Sequence, residues 1–223
     1  MAQIKAVIFD MDGMLIDTET FWQEEERAIF GELGIHITPA MQESTYGLGT
    51  YEVVKHWYNY QPWQEPDFQH VVDGIYHRVA KRIHMEAKAK EGVEYILSFF
   101  TKKGLPLALA SSSPFHMIDI VLDKLNIRNA FQIIHSCEME AYEKPHPAVY
   151  LTTAQRLGIE PVNCLVFEDS FVGLLAAKAA RMKSVAIPER TFRHSPKYAI
   201  ADLQLTSLND FTEEHFQQLQ KTL

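Results

Sequence analysis

The 223-residue chain has only two cysteines, Cys137 and Cys164, and neither belongs to a CxxC pair. A disulfide framework or zinc ribbon has no support, and both thiols are expected as reduced core residues. Its ten histidines show no HExxH or other paired-ligand spacing, which leaves them surface or structural roles. Apolar runs fall far short of the ~20 residues a spanning helix needs. The first strand signal starts within a few residues of Met1, without the successive regions of an export signal, so a cytoplasmic protein with no membrane partner is expected. Basic residues are scarce and scattered. Lys and Arg total 21 against 29 acidic residues, a formal charge of −8, and Lys81–Arg82 and Lys102–Lys103 are isolated pairs. Broad nucleic-acid binding needs clustered cations, so no nucleic-acid partner is expected. The overall field repels anions mildly, so an anionic substrate has to be captured by local groups or a metal.

What is present is an ordinary globular composition, 47% apolar and 22% charged. Short uninterrupted apolar runs recur at Ile4–Phe9, Leu105–Ala110, Phe131–Ile134, Asn163–Phe167 and Ser184–Ile187. Runs of that length without alternation suit strands buried on both faces of a parallel sheet. Between them, residues 92–103 place Val93, Ile96, Leu97 and Phe100 at helical spacing and stop at Gly104. Residues 114–125 open on Ser113–Pro114, which predicts a serine cap with proline in the first turn. Similar helices are expected over 147–157 and 171–181. Strand–helix alternation predicts an α/β protein with a doubly wound, Rossmann-like parallel sheet and ligands at the carboxyl ends of its strands.

The first strand breaks this rhythm. Residues 18–87 carry several amphipathic helical signals, such as Trp22, Ile29, Phe30 and Leu33 before Gly34, and few strand signals. They are expected to form an all-helical cap inserted into a core made of residues 1–17 and 88–223. The acidic run Glu24–Glu26 is expected to be a solvated helix face, and the cap tryptophans to serve mainly in packing.

The chemistry concentrates at the strand ends. The stretch "IKAVIFDMDGMLID" ends a buried strand on Asp10, follows it with Asp12, and places Gly13 where the backbone must turn. Burying like charges is unfavourable unless a positive group sits between them. Downstream strands end in "ALASSSP", "AYEKPHP" and "LVFEDS", and in a doubly wound sheet these ends converge. Ser111, Lys144, Glu168 and Asp169 are thereby expected around Asp10 and Asp12. Carboxylate oxygens suit Mg²⁺, with Asp10 and Asp169 as ligands and Lys144 balancing the remaining charge. Ser111 and the Ser112 main-chain N–H are expected to hold phosphoryl oxygens.

In this order the motifs resemble those of the haloacid dehalogenase superfamily of aspartate-dependent phosphotransferases, over nearly the whole chain. The helical insertion and "FEDSFVGLLAAKAARM" look like the β-phosphoglucomutase-like branch, and "YNYQPW" and "ASSSPFHMI" are similar to bacterial phosphatases of 2-deoxyglucose 6-phosphate and hexitol phosphates. The resemblance implies a Mg²⁺-dependent sugar-phosphate phosphatase. Asp10 would be the nucleophile that forms an aspartyl-phosphate, and Asp12 the acid that protonates the leaving oxygen and then the base that activates water. Mg²⁺ would meet Asp10, the Asp12 main-chain carbonyl and Asp169, with Glu168 close by. Substrate contacts would come from Asp10, Met11, Asp12, Ser111, Ser112 and Lys144. Cap contacts are expected from Trp22, Gly47, Leu48, Gly49 and Thr50, in or beside the loop "YGLGTYE". Mutases of the branch carry a cap histidine and an arginine where this chain has Trp22 and Thr50, so hydrolysis is the preferred expectation over mutase chemistry. A phosphoacceptor receiver is the non-enzymatic alternative, disfavoured by Asp10 on the first strand and by the insertion. A monomer acting on a small-molecule sugar phosphate is expected.

Overall fold

A computed structural model of the chain describes residues 3–221. Its framework is one six-stranded sheet in the order β3-β2-β1-β4-β5-β6, with every pairing parallel. The strands are β1 (Ala6–Phe9), β2 (Leu107–Ser111), β3 (Ile133–Ser136), β4 (Cys164–Glu168), β5 (Lys183–Ala186) and β6 (Leu203–Gln204). Five of them lie in or beside the apolar runs, although β3 begins two residues later than the run at Phe131, which follows a 3-10 turn at Arg128–Ala130. β6 is only two residues long and leaves no run to read.

The two faces of the sheet differ in bulk. Val7, Phe9, Leu109, Leu165 and Phe167 point to one side, where they meet α5 (Val93–Thr101), α6 (Phe115–Leu125) and α9 (Glu213–Lys221). Phe9 stacks on Phe167 at 5.0 Å, with Phe100 and Phe211 edge-on or tilted around them. Such aromatic pairs add roughly 0.5–1.5 kcal/mol each beyond area burial. The other side carries Ala6, Ala108 and Ala110 and is covered by α7 (Ala148–Leu157) and α8 (Phe171–Ala179).

Between β1 and α5 the chain builds α1 (Glu19–Glu32), α2 (Pro39–Gln42), α3 (Thr50–Tyr60) and α4 (Phe68–Glu86). α1 turns Phe21, Ile29 and Phe30 into the main core cluster, where they join Val72, Ile75, Val79 and Ile83 of α4. α4 also packs against α3 and α6, which holds this helical layer over the carboxyl edge of the sheet. Among the described residues no helix is long and apolar enough to cross a membrane.

Two local expectations need correction. The residue that caps α6 is Pro114, with no side-chain capping bond, because the Ser113 hydroxyl is engaged by Asp12 instead. Glu26 is no part of a solvated face: it is 8% exposed and accepts a hydrogen bond from Gln42 Nε2 at 2.9 Å. Glu24 and Glu25, its neighbours, pair with Arg82.

Candidate active site

β1 lies between β2 and β4, where the strand order reverses direction, so Asp10 emerges at the switch point of the sheet. Its N–H donates to Phe167 O at 3.0 Å, which continues the ladder one residue past the strand and fixes the Asp10 main chain. The side chain is 7% exposed. Lys144 Nζ donates to Asp10 Oδ1 at 2.6 Å, Glu168 Oε1 at 2.7 Å and Ala110 O at 3.2 Å, so its three N–H groups are all used. Glu168 is in turn saturated: Oε1 accepts from the Tyr150 hydroxyl at 2.5 Å and Oε2 from Ser170 N and Oγ, both at 3.2 Å. Ser170 Oγ also accepts from Gly173 N as the cap of α8, so this serine is a structural cap as well.

Asp169 is 4% exposed and stands beside the turn at Gly13. Gly13 has φ +70°, and a Cβ there would fall 2.1 Å from Asp169 Oδ2, so only glycine fits. Asp169 Oδ2 accepts from the Tyr46 hydroxyl at 2.9 Å, and its main-chain oxygen accepts from the Tyr198 hydroxyl at 2.9 Å.

Carboxylate oxygens of Asp10, Glu168 and Asp169 lie within 4.8 Å of one another. Burial raises the Asp10 carboxyl to about 7 against the opposing pull of Lys144, with Glu168 adding to the rise. Burial, then Glu168 and Asp10, push Asp169 well above the usual carboxylate range. Burial by itself would lower the Lys144 ammonium, but Asp10 and Glu168 overcome it and hold it well above its ordinary value. Burial is the first cause at both aspartates, and Lys144, bonded to Asp10 and Glu168, is the cation that opposes it at Asp10. The cluster lacks positive charge and offers only oxygen donors, which fits a hard divalent cation such as Mg²⁺.

Asp12 is half-buried and held differently. Thr18 Oγ1 and Trp22 Nε1 donate to Oδ1 at 2.7 and 3.0 Å, and Ser113 Oγ donates to Oδ2 at 2.7 Å. Its carboxylate is thus oriented by donors from β2's exit loop and from the start of α1. Ser111 Oγ accepts from Ser113 N at 3.0 Å, which keeps the turn compact.

A cavity of about 200 Å³ lies between this edge and the helical layer. Asp10, Asp12, Ser111, Ser112 and Asp169 line its floor, and Trp22, Gly47, Leu48, Gly49 and Thr50 line its roof. The sequence-predicted residues therefore meet at one place, with two distinctions. The Met11 side chain is fully buried in the main core cluster, and Lys144 reaches the site through Asp10 and Glu168 without lining the cavity. Gly47 and Gly49 bring the loop against the core, since a Cβ at these positions would meet Ser170 Cβ at 2.9 Å and Glu143 Oε2 at 1.5 Å. Sequence reasoning did not single out Thr18, Tyr46, Tyr150 or Tyr198, nor Glu19, Gln23, Glu26 and Gln42 on the cavity wall. The available signal for the wall was Glu19, Gln23 and Glu26 at i, i+4 and i+7.

The family model for haloacid dehalogenase-like hydrolases matches residues 7–187. Hexitol phosphatase B of Escherichia coli strain K12 is 39% identical over 211 residues, covering 94% of this chain and 95% of that protein. A phosphorylated carbohydrates phosphatase of Thermotoga maritima is 31% identical over 183 residues, covering 82% of this chain and 84% of that protein. The crystal structure of a β-phosphoglucomutase from Clostridium difficile superposes with a TM-score of 0.86 at 24% identity, over 99% of this chain and 98% of that one, a likeness of fold.

Proposed function

We propose that this chain, which belongs to the haloacid dehalogenase-like hydrolase family and is a phosphatase of it, releases inorganic phosphate from sugar-phosphate monoesters, hexitol and hexose phosphates among them. One observation carries the reading: a buried carboxylate at the end of the central strand, bonded to Lys144 and grouped with two more carboxyls, forms the floor of a cavity. Relatives with phosphatase names support hydrolysis over mutase chemistry.

Asp10 is the nucleophile of this mechanism. One of its carboxylate oxygens bonds to phosphorus as the ester P–O bond breaks, and the departing alcohol oxygen takes a proton from Asp12. A water then gives its proton to Asp12 and bonds to phosphorus, which frees phosphate and restores the Asp10 carboxylate. The bonds from Thr18, Trp22 and Ser113 aim Asp12 for both transfers. Because they occupy that carboxylate, Asp12 is assigned to the metal only through its main-chain carbonyl. Asp10 and Asp169 would hold a Mg²⁺ ion with it, and Glu168, saturated by Lys144, Tyr150 and Ser170, fixes the ammonium. When bound, the ion neutralises charge on the transferring phosphoryl group. Ser111 and the Ser112 N–H orient phosphoryl oxygens, and the helical layer excludes water.

Phosphate release from a hexitol phosphate tests this directly. Asp10→Asn lowers kcat by at least about 1,000-fold, chelator abolishes turnover and Mg²⁺ restores it, and Asp12→Asn lowers kcat by at least about 100-fold because both proton transfers are lost. Undiminished turnover in Asp10→Asn overturns the assignment.

A further inference from the structure

The cavity wall formed by α1 and α2 carries no role in the chemistry above, yet it is the most polar part of the helical layer. Glu19, Gln23 and Glu26 lie at i, i+4 and i+7 of α1 and all line the cavity, together with Gln42 of α2. The neighbouring stripe of the same helix, Phe21, Ile29 and Phe30, is apolar and packed in the core. A helix that turns a polar stripe inward loses hydration there unless the stripe meets polar partners. Here the stripe is internally bonded. Gln23 Nε2 donates to Glu19 Oε1 at 2.8 Å, and Gln42 Nε2 donates to Glu26 Oε2 and Gln23 O, both at 2.9 Å. Arg27 Nη1 donates to Gln42 Oε1 at 2.7 Å and fixes which way that amide faces. Among the described residues no lysine, arginine or histidine lines the cavity.

From this arrangement we propose that Glu19, Gln23, Glu26 and Gln42 determine specificity, reading the hydroxyl groups of an uncharged, polyhydroxylated leaving alcohol and rejecting one that carries a second anionic group. The inference rests on the phosphatase reading and deepens it by naming the side chains that select the alcohol. Carboxyl and amide groups in alternation offer both donors and acceptors, which matches the two-sided hydrogen bonding of hydroxyls. Burial supports this, because it raises Glu19 to about 8 and Glu26 to about 7. Gln23 opposes the rise at Glu19, Gln42 and then the Arg27 charge oppose it at Glu26, and the charges of Glu26, Glu189 and Asp12 add to it at Glu19. Both carboxyls therefore take up a proton closer to neutrality than a free glutamate does, and in that form they donate as well as accept. An anionic leaving group finds no cation lining the cavity, since the Arg27 guanidinium behind the wall is engaged by Gln42 Oε1, and it loses hydration from its own charge.

The test is a ratio of kcat/KM values, which cancels any loss of folded enzyme. The wild-type chain is compared on a hexitol phosphate, on glycerol phosphate, and on a hexonic acid phosphate and a hexose bisphosphate. It prefers the hexitol ester to either anionic ester by about tenfold or more. Glu19→Lys shrinks that preference by about tenfold, Glu19→Gln keeps it within about threefold, and Gln23→Leu lowers the hexitol-to-glycerol ratio by about tenfold. Unchanged ratios in both Glu19→Lys and Gln23→Leu, or a wild-type preference for an anionic ester, overturn the inference while leaving phosphatase activity standing. Failure of the wild-type chain to release phosphate from any of the esters overturns the phosphatase reading, and this inference with it.

Discussion

At the carboxyl edge of the sheet, Asp10 and Glu168 are bonded by the Lys144 ammonium, whereas on the inner face of α1 Glu19 and Glu26 are bonded by the amides of Gln23 and Gln42. Both regions bury carboxyl groups, and in both burial pushes carboxyls upward. The difference lies in what else is held there. At the sheet edge a formal charge is retained beside the reacting centre, so any lost partner leaves an uncompensated ion. On the helical wall the carboxyls meet uncharged amide partners, so replacing one by its own amide strands no ion. Under the roles proposed above, reaction belongs to the strand ends and recognition to a helix stripe of the same cavity.

Removing the ammonium tests this contrast most severely. Lys144→Met strands two buried carboxyls and is expected to destabilise the chain by about 3–5 kcal/mol. A thermal midpoint lower by roughly 6–15 °C would register that loss. Glu26→Gln, by comparison, costs less than about 1 kcal/mol by the same measurement, and equal losses in the two variants would erase the distinction drawn here. The link between the regions is smaller. Trp22→Phe keeps an aromatic ring near Tyr76 but deletes the donor to Asp12 Oδ1. A fall of about fivefold to tenfold in kcat follows from one lost oriented hydrogen bond, and unchanged kcat would show that Thr18 and Ser113 suffice.

A carboxylate at the far end of the sheet provides a scale outside both regions. Asp202 accepts from Lys178 and Lys183 at 2.7 and 3.0 Å and from Ser184 N at 2.8 Å. Burial by itself would raise its carboxyl, but the bonds from Lys178 and Lys183 hold it below the usual value. A lowered folded value contributes stability that is present above the unfolded value, near ~3.9, and is lost as pH falls through the folded one. Asp202→Asn therefore lowers the midpoint by a few degrees near neutral pH, equivalent to about 1–2 kcal/mol, and the gap to the wild-type chain closes in strong acid. A gap that persists there would assign the loss to packing.

The sheet edge was far more legible than the helical wall, for a physical reason. Strand ends are marked by the break from apolar to polar residues, and parallel topology brings those breaks together. Asp10, Ser111, Glu168 and Asp169 consequently declared themselves, with Lys144 in the loop that follows β3. The helical layer obeys no such convergence. Glu26 in isolation reads as a solvated glutamate, because only the cavity beside α1 reveals that its stripe points inward. Ser113 was misread as a cap because the sequence cannot show that Asp12 competes for its hydroxyl. Tyr150 drew no notice in the sequence, yet it is buried and its hydroxyl reaches Glu168. β6 and α9 were not anticipated, since two residues form no apolar run and α9 buries only Phe216 and Leu219.

The alanine-rich face of the sheet bears on this chemistry from behind. Ala6, Ala108 and Ala110 share that face with Ile8 and Val166, and α7 lies against β1, β2 and β3 there. The same helix carries Tyr150, whose phenol reaches Glu168 and thence the Lys144 ammonium bonded to Asp10. A substitution on this face would thus reach the Asp10–Lys144–Glu168 cluster without altering any residue that lines the cavity.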